Sequence, residues 1–88
     1  MNKEIKYFKK QFGKYIESVI LPSYPQIVDY RIEEWFPDSQ NLNFEFNFYY
    51  DSYPDVHVDN SIEDSVREMI NSFSIEEIVY GINFKIKE

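Results

Sequence analysis

The stretch Leu42-Asn43-Phe44-Glu45-Phe46-Asn47-Phe48-Tyr49-Tyr50 decides the fold class. Leu42, Phe44, Phe46, Phe48 and Tyr50 alternate with Asn43, Glu45, Asn47 and Tyr49 without a break. Successive side chains of a strand point to opposite faces, so this spacing gives one bulky apolar face and one polar face. A helix would split the same residues between two opposed sides. The stretch is a strand with a hydrophobic layer on one side, and the rest of the chain is read as what supplies that layer.

Upstream, residues 26–36 also alternate. Val28, Tyr30 and Ile32 face one way, and Asp29, Arg31, Glu33 and Trp35 face the other. The cluster Pro37-Asp38-Ser39-Gln40-Asn41 between the two runs is rich in turn formers, so the pair reads as an antiparallel hairpin. Residues 77–87 form a third strand. Ile78, Tyr80, Ile82, Phe84 and Ile86 lie on one side, with Val79, Gly81, Asn83, Lys85 and Lys87 on the other.

Two stretches follow the helical period instead. In residues 3–20, Ile5, Phe8, Phe12, Ile16 and Val19 recur every three or four residues, widened by Tyr15 and Ile20. Pro22 and Pro25 are expected to end that helix. A second helix is expected to start at Ser61 as N-cap, with Asp64 in the capping-box position. Its stripe is Ile62, Val66, Met69, Ile70 and Phe73, and it frays near Ser74. Residues 51–60 read as a loop, with Val56 and Val58 as a brief extended edge.

The order is therefore α-β-β-α-β, an α+β fold forming a single small domain over residues 1–88. The helical crossover makes the second and third strands parallel if they share a sheet, and right-handed. Placing the third strand beside the first gives a three-stranded, mainly antiparallel sheet of order 2-1-3. Both helices then cover the face carrying Tyr30, Phe46 and Ile82, and the other face is polar, acidic and aromatic.

Composition removes several functions. Among 88 residues there is no Cys, one His and two Gly, which excludes a disulfide scaffold, a cysteine zinc site and a glycine-rich phosphate loop. The net charge of −7 is unlike that of a nucleic-acid binder. It is unevenly placed: residues 1–15 carry +4, residues 16–77 carry −12 and residues 78–88 carry +1. A basic first helix more simply forms a solvated face than a membrane or DNA contact. A basic end on an acidic body also favours head-to-tail self-association, so a homo-oligomer is among the expectations.

Phe, Tyr, Ile, Asn and Lys make up 41 of the 88 residues, whereas Gly, Ala, Arg and Pro make up 8. The first group has AT-rich codons and the second GC-rich ones, which points to a phage, another virus, a mobile element or a low-GC bacterium. The start Met1-Asn2-Lys3-Glu4-Ile5-Lys6 lacks the apolar core of a signal peptide, and no run approaches a membrane span. The expected location is the cytoplasm, that of the host for a phage protein, or the virion.

One loop could carry metal chemistry. In extended chain Asp51, Tyr53, Asp55, His57 and Asp59 would share one side, and carboxylates with an imidazole suit a divalent cation. The spacing matches no metal motif, and a solvated acidic loop capping the next helix is the simpler reading. Asp55, His57 and Asp59 stand as the metal alternative, and no cofactor is expected. The adjacent pairs Glu33-Glu34 and Glu76-Glu77 are not arranged for acid-base work, so no enzyme is expected.

The favoured function is a non-enzymatic protein-interaction module. Its partner-binding surface is the acidic-aromatic face around Asp29, Glu33, Trp35, Glu45, Tyr49 and Asp51. Two forms remain open. One is an inhibitor that presents carboxylates where a host nucleic-acid-binding defence protein expects phosphates. The other is a virion or assembly component.

Overall fold

The computed structural model describes residues 2–34, 42–52, 56–73 and 78–87. The alternating stretch forms β2 (Leu42–Tyr50), and it lies at the centre of a three-stranded sheet. β1 (Ile27–Glu34) pairs with it antiparallel, and β3 (Ile78–Ile86) pairs with it parallel. The sheet is therefore mixed, with order β1-β2-β3 rather than the expected 2-1-3. The reason is visible in β2 itself. Phe46 and Phe48 are fully buried on one face, and Asn43 and Asn47 are 6% and 3% exposed on the other. A strand with neighbours on both edges is screened by their side chains even on the face that no described helix covers. Alternation fixes which face a residue occupies but says nothing about which strand lies beside it.

The first helix, α1, spans residues 2–23 in three registers. It is α-helical over Asn2–Tyr15, π-helical over Ile16–Ile20 and α-helical again over Leu21–Ser23. The Leu21 N–H donates to the Ile16 carbonyl, five residues back. Pro22 was expected to stop the helix, yet it lies inside the last turn. It has no N–H to give, and a proline ring crowds the carbonyl four residues back; the wide turn before it accommodates both. The π turn also repositions the apolar row. A four-residue step overshoots an α-turn by about 0.4 residue, so a row at 12, 16 and 20 would drift around the cylinder. The wider turn keeps Phe12, Ile16 and Ile20 in line, and all three are fully buried. Val19, expected in that row, is exposed instead.

β1 departs from simple alternation at its start. Ile27 pairs with Tyr50 and Asp29 with Tyr49, so Val28 is an extra residue, a bulge. Ile27 takes the core position expected for Val28, which is exposed. The second helix, α2, runs over Val56–Ser72. It begins five residues before the expected N-cap. Ser61 lies within it, and its hydroxyl donates to the His57 carbonyl one turn back. A serine inside a helix satisfies itself this way, so the capping pattern at 61–64 did not mark a boundary.

Both helices pack on the phenylalanine face of β2. Phe12, Ile16 and Ile20 of α1 and Ile62, Val66, Met69 and Ile70 of α2 join Ile32, Phe44, Phe46, Phe48 and Tyr50 in one core. The Phe12 ring meets Phe44 and Phe46 edge-on, with centroids 5.3 and 5.6 Å apart. Aromatic rings dominate because each covers a large area, which lets a small domain fill its core with few side chains.

Candidate functional site

Among the described residues, the opposite face of the sheet carries no helix. Strand register arranges its side chains in rows. Asp29, Tyr49 and Lys85 form one row, Arg31, Asn47 and Asn83 the next, and Glu33, Glu45 and Gly81 the third. The expected residues Asp29, Glu33, Glu45 and Tyr49 thus come together on one surface. Trp35 lies outside the described residues. Asp51 lies in an exposed bend just past β2.

Each row has its own electrostatics. In the first, Lys87 Nζ reaches Asp29 Oδ2 at 3.1 Å, and the Tyr30 amide donates to Asp29 Oδ1 at 2.8 Å. The Lys87 hydrogen bond, and then the amide, hold the Asp29 carboxyl below its ordinary range. In the middle row, Asn83 Nδ2 donates to Asn47 Oδ1 at 3.1 Å, satisfying a nearly buried amide.

The third row opposes two carboxylates. Glu33 and Glu45 are direct cross-strand partners. Like charges in that relation destabilise a sheet. The compensation is partial: Arg31 lies 3.9 Å from Glu33, and Asn83 Nδ2 donates to Glu45 Oε1 at 2.6 Å. Next to Glu45, Gly81 offers no side chain, and nothing lies within 4 Å of where a Cβ would stand. A cleft of about 450 Å³ opens there, lined by Asn43, Glu45, Val79, Gly81 and Asn83 among others. The arrangement can accept a cationic side chain: carboxylates to pair with, amides to orient it, and space beside the glycine.

The proposed metal loop does not form as an extended run. His57 and Asp59 belong to the first turn of α2, where residues two apart point away from each other, and Asp55 lies outside the described residues. Asp59 has a different task, accepting a 2.8 Å hydrogen bond from the Tyr50 hydroxyl. No group of three His, Asp or Glu that could hold a metal occurs among the described residues. Glu76 and Glu77 fall outside them, as do residues 37–41, where a turn was expected. No described helix is long and apolar enough to cross a membrane.

At the β1 edge, Lys9, Lys10 and Lys14 of α1 line a groove with Glu17, Tyr30 and Arg31. Lys9 is already engaged by Glu34 at 3.3 Å. Burial, and then Glu17, push the Tyr30 hydroxyl above its ordinary pKa.

No protein-family model matches the chain, and neither does any curated protein or solved structure.

The sequence places Lys85 and Lys87 where they can balance the acids of this face, and Lys87 does so at Asp29; the parts played by Gly81 and Asn83 were missed. Both were assigned to the correct face. Their roles depend on β3 lying beside β2, which alternation does not encode.

Proposed function

We propose that this protein is a non-enzymatic interaction module that binds a basic protein partner through the open face of its sheet. The opposed pair Glu33 and Glu45 beside the Gly81 cleft carries this reading. Two carboxylates held directly opposite each other cost stability, and a partner's Arg or Lys relieves that cost on binding. The residues sit on strands, so the pair is held in place before the partner arrives. Their setting is an open sheet face, with Glu33 half exposed, which suits docking better than chemistry needing a water-excluded site.

A partner with a cationic surface fits a nucleic-acid-binding protein, and the module then acts as its inhibitor by occupying sites meant for phosphate. AT-rich residue usage supports a phage, viral or mobile-element source and action in the host cytoplasm. The second reading, a virion or assembly component, is favoured by the other end of the face. There Asp29 is neutralised by Lys87, and Tyr49 lies between Asp29 and Lys85. Co-purification at low and high ionic strength separates the two. Inhibitor binding led by Glu33 and Glu45 is lost at high salt, whereas an assembly contact with an apolar centre survives.

A further inference from the structure

The two edges of the sheet are built differently. β1 is blunted by the Val28 bulge and carries Asp29, Arg31, Glu33 and Glu34. Bulges and charges are what keep an edge strand from pairing with another chain. β3 has no bulge and a single charged residue, Lys85 near its end, and it pairs only with β2 among the described residues. Its register of main-chain groups is fixed by one bond: the Lys87 N–H donates to the Tyr50 carbonyl at 2.8 Å. In a parallel ladder alternate residues aim both N–H and C=O at the same neighbour. Residues 79, 81, 83 and 85 therefore face β2, and Ile78, Tyr80, Ile82, Phe84 and Ile86 turn theirs to the open edge.

The same five residues place their side chains on the helix side, and each is only half buried against the core. They read Ile, Tyr, Ile, Phe, Ile, close to a palindrome about Ile82. Two such strands brought together antiparallel set Ile82 against Ile82, Tyr80 against Phe84 and Ile78 against Ile86. These are β-branched and aromatic cross-strand pairs, and roughly ten main-chain hydrogen bonds would form. On the other side Lys85 falls opposite the exposed Val79, and Asn83 opposite Gly81, so no like charges meet. The Lys85 end of each strand also meets the end of its partner that follows Glu76-Glu77 in the sequence.

We infer that the β3 edge pairs with β3 of a second copy of this chain, about a two-fold axis at Ile82, to give a continuous six-stranded sheet. Glu33 and Glu45 stay uncovered, while the cleft beside Gly81 gains Asn83 of the second copy as a neighbour. The pairing joins two half-buried aromatic rows into one core and removes an open edge.

Amide hydrogen exchange on the unaltered chain, alongside sedimentation, tests it. At high concentration the mass is twice the 10.7 kDa of one chain. The amides of Tyr80, Ile82 and Phe84 then exchange about tenfold or more slower than at dilution, while those of Gly81, Asn83 and Lys85 are protected at both. Ile82→Pro, which removes an outward N–H that the monomer does not use, yields a folded monomer by circular dichroism. A chain that stays monomeric at high concentration overturns the inference. So does a dimer whose Tyr80, Ile82 and Phe84 amides exchange as fast as at dilution, since it is joined elsewhere.

Discussion

The Tyr50 hydroxyl donates a 2.8 Å hydrogen bond to Asp59 Oδ1, tying the last residue of the central strand to the first turn of α2. The contact closes the short connection between them and satisfies the one polar atom of a side chain that is 1% exposed. Tyr50→Phe keeps the ring stacked on Phe84, 5.8 Å away, and loses only the hydrogen bond. A bond to a charged acceptor of this kind contributes about 1.5 kcal/mol, and urea unfolding of the two proteins measures it.

The same tyrosine sets the alkaline limit. Burial, and then Asp59, raise its pKa well above the ordinary 10.0, and Tyr30 moves in the same direction. A raised folded-state pKa means that the neutral form is the stabilised one. That contribution is complete below pH 10 and is lost as pH rises towards the folded-state values. Stability is expected to fall above about pH 10, and Tyr50→Phe to flatten most of that fall in a pH series of melting curves.

Asp29 behaves in the opposite sense. Its lowered pKa gives a contribution that is present above the ordinary 3.8 and lost as pH falls below it. Lys87→Ala removes the largest cause, so a carboxyl-carbon NMR titration should show the Asp29 pKa rising towards 3.8. Both side chains are half exposed, so the melting temperature at neutral pH changes little.

Much of this architecture was legible because it is periodic. Residues 42–50 fix their faces by alternation alone, and Ile62, Val66, Met69 and Ile70 fix the buried stripe of α2 by helical spacing. The departures are places where one local signal yielded to packing. Pro22 sits inside α1 because a π turn precedes it, and Ser61 lies within α2 because its hydroxyl bonds back to His57. The β1–β2 hairpin and the parallel sense of β2 and β3 were legible, but the placement of β3 beside β2 was not, and with it went the parts played by Gly81 and Asn83.

Gly13 shows how such a local preference can be tested. A Cβ there would stand 3.3 Å from the Tyr30 hydroxyl, the far end of a half-buried ring that can yield by a few tenths of an ångström. Alanine also removes the helix penalty of glycine. Gly13→Ala is expected to stabilise the protein by about 0.5–1 kcal/mol in denaturant unfolding.

Asn83→Ala should act the other way. It leaves the Asn47 side-chain oxygen without its Asn83 donor at a position 3% exposed, and removes the 2.6 Å bond to Glu45. A loss of roughly 1–3 kcal/mol is expected from the same unfolding measurement.

On the proposed function, Glu33 and Glu45 face each other for a partner's sake. Glu33→Gln with Glu45→Gln removes their repulsion and should leave the fold as stable or up to about 0.5 kcal/mol more so. The most direct measurement is quantitative co-purification from the native host, comparing that variant with the unaltered chain and with a Glu63→Gln, Glu68→Gln control on α2. The unaltered chain and the control are expected to retain the same basic partner, and the Glu33, Glu45 variant to lose it while remaining folded. Retention of that partner by the folded Glu33, Glu45 variant, or its loss from the α2 control, would contradict the account.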